Sequence, residues 1–124
     1  MLLKDLIQWL ELQDASAVVR DGFGAPHSDR GDYSDVGFEP AARTTFGEML
    51  RHARSALGRT FTGYKGGKYT MHEYTLCRIG RPEESGGVIT EAHLRAWRLS
   101  AIASPAYERF KDLDRWFESV PEDG

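Results

Sequence analysis

The sequence predicts an α+β fold: about four helices packed on a small, mostly antiparallel sheet, in a single domain spanning residues 1–124. Three observations carry that expectation. Apolar residues recur at helical spacing near both ends of the chain and again after Thr45. Short β-prone runs sit between clusters of Gly, Pro, Ser and Asp. No repeat, low-complexity tract or linker divides the chain, and its 124 residues fit one domain with a core of its own.

Leu2, Leu3, Leu6, Ile7, Trp9, Leu10 and Leu12 form a broad stripe that predicts a first helix, ending before the polar break at Asp14. The β-branched run in "SAVVRDGFG" predicts a strand over Ala17 to Asp21. "APHSDRGDYSDVGFEPA" predicts a loop with a short strand at Val36 to Glu39. Thr45 and Glu48 stand at capping-box spacing, where hydroxyl and carboxylate satisfy free backbone amides. Phe46, Met49, Leu50, Ala53 and Leu57 follow on one helical face, and Gly58 supplies a left-handed terminator. "EYTLCRIG" predicts a strand over Tyr74 to Ile79, followed by the turn-rich "RPEESGG" and by "VIT" as a short strand or helix lead-in. Leu94, Trp97 and Ala101 favour a helix within Glu91 to Ala103. Ser104-Pro105 then predicts a further helix carrying Ala106, Phe110, Leu113, Trp116 and Phe117 before a fraying tail.

Composition narrows the function classes. The single cysteine, Cys77, has no internal partner and points to a reducing cytosol. No apolar run reaches the roughly 18 residues of a membrane span, and Lys4, Asp5, Gln8 and Glu11 interrupt the first helix too early for a signal peptide. Residues 1–42 carry three Lys/Arg against eight Asp/Glu, residues 43–81 eight against two, and residues 82–124 five against nine. A basic centre between acidic flanks focuses a field on a compact anion, whereas long nucleic acid would be repelled by the flanks. Salt bridging between the segments is the alternative.

The densest chemistry lies in "TGYKGGKY", residues 62–69. Gly63, Gly66 and Gly67 permit positive φ and close approach of backbone amides to an anion. Lys65 and Lys68 add charge, and Tyr64 and Tyr69 offer stacking faces. The P-loop spacing GxxxxGK[ST] is absent, and a plain hairpin turn with solvated lysines is the alternative. In "PHSDRGDY", Arg30 offers a planar fork for phosphate, unless Asp29 and Asp32 hold it as an ion pair. His27, His52, His72 and His93 are scattered, with no metal-binding spacing, so neither metal nor cofactor is expected. His72 beside Glu73 is a candidate acid/base pair, although strand neighbours face opposite sides. There is no GxSxG nucleophile elbow, and Cys77 in a strand reads as core.

The segments "GFGAPHSDRGDYSDVGFEP" and "FEPAARTTFGEMLRHARSALGRTFTGYKGGKYTMHEYT" resemble a family of small bacteriophage proteins with "HS-YRG-Y…AFEP" and "TFTGYKGG-Y-M" segments. Matching positions are His27, Ser28, Arg30, Gly31, Tyr33, Phe38, Glu39, Pro40, Thr62, Gly63, Tyr64, Lys65, Gly66, Gly67 and Met71. The chain departs at Asp29, where the family has an aromatic residue, and at Lys68, where it has an acid. The resemblance brings no activity with it; it implies a phage gene product acting in the host bacterial cytoplasm. It also joins the Arg30 and Lys65 loops into one expected site, with phosphate held by Arg30, Lys65, Lys68 and the amides of Gly63 to Gly67. Tyr33 and Tyr64 would stack on the ligand, with His72 nearby. The expected partner is a small phosphorylated or nucleotide-like molecule, such as a host defence signal, captured without catalysis between protomers of a homo-oligomer. Two alternatives stand beside it: an inhibitor of a host protein that mimics nucleic acid with its acidic flanks, and a nucleotide or phosphodiester hydrolase using His72 or His27 with Glu39 or Glu73.

Overall fold

The computed structural model describes residues 1–102, and the helix expected after Ser104 lies outside them. The described residues form a mixed α and β unit of three helices, a four-stranded sheet and a separate two-stranded hairpin. In chain order the elements are α1 (Leu3–Glu11), β1 (Val18–Ser28), β2 (Val36–Thr45), α2 (Phe46–Ala56), β3 (Thr60–Thr62), β4 (Lys68–Thr70), β5 (Cys77–Ile79), β6 (Gly87–Val88) and α3 (Glu91–Ser100). The sheet order is β1-β2-β5-β6, antiparallel except for the parallel β2–β5 pair. Among the described residues no helix is long and apolar enough to cross a membrane.

The β1–β2 ribbon is far longer than the sequence suggests. Pro26 and Pro40, read as loop residues, both lie inside strands. Pro26 is tolerated because, among the described residues, β1 is a sheet edge there, and a missing N–H breaks no ladder bond to a further strand. The register shifts between Phe23 and Pro26, where β1 takes one extra residue, a bulge that re-aims the strand toward its tip. Pro40 lies beyond Val36 to Phe38, the stretch of β2 that pairs with β5, and so interrupts no bond to that neighbour.

The expected strand from Tyr74 is also shorter. Residues 72–75 form a turn: the Thr75 N–H donates to the His72 carbonyl at 3.0 Å and the His72 N–H to Thr75 Oγ1 at 2.8 Å. Side-chain acceptors satisfy the backbone there, so the β-prone composition is overridden until Cys77. The "VIT" segment does both jobs expected of it: Val88 ends β6, and Thr90 caps α3, its N–H donating to His93 Nδ1 at 3.0 Å.

The core lies between the helices and the ribbon. Leu3, Leu6 and Leu10 of α1 and Met49 and Ala53 of α2 are buried with Val19, Phe23 and Phe38 of the ribbon. Phe23 and Phe38 pack with ring centroids 4.4 Å apart, and Trp97 of α3 closes over Phe23 at 5.6 Å. The Trp97 indole N–H donates to the Asp21 carbonyl at 2.8 Å, which satisfies the polar end of an otherwise apolar side chain.

Candidate functional site

The loop of residues 29–35 joins β1 to β2 and is built around a buried carboxylate. Asp29, 1% exposed, accepts the Gly31 N–H at 2.9 Å and the Asp32 N–H at 3.1 Å on Oδ2, and the Gly86 N–H at 2.8 Å on Oδ1. Arg78 completes the network: its Nε donates to Asp35 Oδ2 at 2.8 Å and lies 3.9 Å from Asp29 Oδ2, and its Nη1 donates to the Gly86 carbonyl at 2.9 Å. The hydrogen bond to Asp35 raises the Arg78 guanidinium above its already high value. Gly31 is required here, because a Cβ would stand 2.2 Å from Ser85 Oγ.

This arrangement corrects the ion-pair alternative for Arg30. Asp29 is committed to backbone amides and Arg78, not to Arg30. Asp32 turns to Ser34, whose hydroxyl first and N–H second hold its carboxyl below the usual range. Among the described residues no carboxylate lies within ion-pair distance of Arg30 or Lys65. Arg30 instead places its guanidinium 4.7 Å from the centroid of Tyr64, and Lys65 Nζ lies 5.7 Å from the same ring. A guanidinium stacked on a ring keeps its in-plane N–H donors for a further partner.

The hairpin β3–β4 presents Tyr64 and Lys65 at its tip. The Gly63 N–H donates to the Gly67 carbonyl at 2.7 Å, and the Gly66 N–H to the Gly63 carbonyl at 2.9 Å. Gly66 at φ +88° makes this a three-residue loop of the common type that ends in a left-handed residue. The Gly63 and Gly66 amides are therefore turn donors, which removes them from the expected phosphate cradle. Gly63 has a second duty: Tyr33 approaches so closely that a Cβ there would lie 3.0 Å from Tyr33 Cβ.

Between the two loops lies a cavity of about 340 Å³. Arg30, Gly31 and Tyr33 line it from the β1–β2 loop, and Gly63, Tyr64, Lys65 and Gly67 from the hairpin. Its volume is at the small end of ligand pockets. Of the nine residues expected to bind, Lys68, Gly66 and His72 do not line it. Lys68 is exposed on β4, and His72 sits in the turn that follows, its Nδ1 accepting the Tyr74 N–H at 3.1 Å. A second cavity, about 310 Å³, is lined by Trp9, Glu91, Leu94, Arg95 and Arg98.

His27 and His72, the candidate bases, both hydrogen-bond backbone groups. His27 lies over Gly37, its ring nitrogens 2.7 Å from the Gly80 carbonyl and 3.0 Å from that of Ser28. None of the four histidine rings hydrogen-bonds a carboxylate among the described residues. Burial first, and Arg51 second, keep His52 below its ordinary value. Burial pushes the Cys77 thiol up to about 12, so it carries no thiolate at neutral pH. No cluster of three metal-ligating side chains occurs among the described residues.

Sequence reasoning missed the second layer of this site: Asp29, Asp35, Arg78 and the Ser85-Gly86 turn. The one available signal was Asp29 two and three residues before the amides it accepts, an arrangement typical of Asx turns. Compared with known proteins, the chain matches no family model, no curated protein and no solved structure.

Proposed function

We propose that this chain is a non-catalytic binding protein for a small phosphorylated, nucleotide-like ligand, held between the β1–β2 loop and the β3–β4 hairpin. One observation carries the reading: Arg30 and Lys65, neither paired with a carboxylate among the described residues, line the same cavity as Tyr33 and Tyr64. Two cations converging on one concave, ring-walled space favour a compact anion with an aromatic part. With the Gly63 and Gly66 amides bonded within the turn, phosphate would be held by side chains, chiefly Arg30 and Lys65. In the setting that the bacteriophage resemblance implies, such a protein would sequester a host nucleotide signal in the bacterial cytoplasm.

Calorimetry against a panel of mononucleotides, cyclic nucleotides and inorganic phosphate tests this directly. Binding of at least one phosphorylated compound is expected, weakened about tenfold or more by Arg30→Ala or Lys65→Ala, in line with the loss of a charge-assisted contact. Native mass spectrometry of the same sample reads stoichiometry and any homo-oligomer. A panel without heat, or affinity unchanged in the double substitution, overturns the proposal.

A further inference from the structure

Tyr33, which walls the cavity, also begins a chain of rings that leads out of it. Tyr33 meets Tyr69 edge-on with centroids 6.2 Å apart, Tyr69 meets His72 at 6.1 Å, and His72 meets Tyr74 at 6.3 Å. Tyr33 is 51% exposed and Tyr74 57%, and His72 is exposed, so the core accounts for Tyr69 alone of the four, which is half-buried against it.

The middle of the row, Tyr69 and His72, is tied down by hydrogen bonds. Tyr69 Oη lies 3.1 Å from His72 Nε2, while His72 Nδ1 accepts the Tyr74 N–H in the 72–75 turn. Rings fixed in this way lose little freedom on binding. Cations mark both ends. Arg30 and Lys65 stand at the cavity, and Lys4 Nζ lies 5.0 Å from the Tyr74 centroid at the far end. Lys68 is exposed on β4 next to Tyr69, again without a carboxylate partner among the described residues.

A mononucleotide would fill the cavity and leave three rings bare. Regularly spaced rings with cations beside them are what single-stranded nucleic acid uses, because every base has a face to stack and every linkage a charge to neutralise. A duplex keeps its faces stacked internally and has no use for such a row. We propose that the ligand is a short single-stranded oligonucleotide. Its terminal phosphate lies between Arg30 and Lys65, its following bases lie along Tyr33, Tyr69, His72 and Tyr74, and a later phosphate reaches Lys4. Exposed Asp5 and Glu73, the sequence neighbours of Lys4 and Tyr74, add negative charge to this part of the row, which limits the track to a few nucleotides. This inference rests on the anion reading of the cavity, since the row alone supplies no anchor.

The test uses 5′-phosphorylated oligothymidylates and oligoadenylates of one to eight nucleotides, titrated into the full chain. Affinity is expected to rise about fivefold or more for each of the first two or three added nucleotides and then level off. Tyr74→Ala should remove the gain from the later nucleotides while leaving mononucleotide affinity unchanged, and Tyr74→Phe, which keeps the ring, should restore it. Lys4→Ala should reduce the salt dependence of the tetranucleotide but not of the mononucleotide. Affinity independent of length, with mononucleotides bound, overturns the track and leaves the cavity reading standing. Affinity still climbing at eight nucleotides, or a tetranucleotide indifferent to Tyr74→Ala, also overturns it. If no length binds, mononucleotides included, both readings fall together.

Discussion

The body of the β1–β2 ribbon and its tip are held together by opposite means. In the body, Phe23 and Phe38 are fully buried in the apolar core, packed on each other with Trp97 of α3 over Phe23. At the tip, a few residues further on, the buried group is the Asp29 carboxylate, and what it holds is backbone N–H and a guanidinium. Apolar burial is non-directional and tolerates small shifts, whereas a carboxylate with three amide donors fixes orientation. The difference explains why the candidate site sits where it does: Arg30 is adjacent to the residue with the strictest geometry in the loop. It also makes separable claims about stability and binding.

The largest effect belongs to the body. Phe38→Ala should lower unfolding free energy by about 3–5 kcal/mol, the usual range for emptying a buried phenylalanine site. Urea denaturation reads this, and the affinity of the remaining folded protein for its ligand should be unchanged. A loss under about 1 kcal/mol would show that the ribbon body is not the stability centre, since surface substitutions fall in that range.

Asp29→Asn probes the tip. The amide keeps one acceptor oxygen but turns an N–H₂ group toward backbone donors, whichever way it is placed. An unsatisfied buried donor of this kind costs about 1–3 kcal/mol. The distinguishing readout is local: amide exchange at Gly31, Asp32 and Gly86 should accelerate, and nucleotide affinity should fall about tenfold as Arg30 loses its position. If stability drops while affinity holds, the tip is only another piece of core and the contrast collapses.

The two regions also differed in how far the sequence revealed them. The boundaries of α2 were legible because their signals are local. Thr45 Oγ1 accepts the Glu48 N–H at 3.0 Å, and Gly58 adopts φ +79°. The length of the ribbon was not legible, because Pro26, Pro40 and the glycines between them usually mark loops. Their tolerance depends on an edge position and a bulge that only the assembled sheet supplies. Lys65 and Arg30 could each be singled out from composition, and the resemblance placed them in one site. Composition alone could not bring them together, since the loops meet through the packing of Tyr33 against Gly63 and the β2–β5 pairing that carries Arg78. Asp29 was misassigned because its partners are backbone groups, which leave no identity in the sequence.

The finest test carries the same contrast to two other sites, making one chemical change beside the core and once more in the hairpin that walls the cavity. Gly58 and Gly66 have φ of +79° and +88°, and a Cβ at either would meet nothing within 4 Å. Replacing either with alanine therefore adds only backbone strain, about 1–2 kcal/mol for a left-handed non-glycine residue. Gly58 connects α2 to the sheet side of the molecule, its N–H donating to the Met71 carbonyl at 2.8 Å. Its strain should appear in full as a lower melting temperature. Gly66 sits at the tip of a two-stranded hairpin whose strands are mostly exposed, a unit able to open without the rest. Part of its strain can be relieved by local opening, so Gly66→Ala should shift the melting temperature less than Gly58→Ala. It should instead weaken ligand binding, because Tyr64 and Lys65 are placed by that turn. Equal melting shifts with equal affinities would mean that hairpin and core unfold as one and that the turn positions nothing.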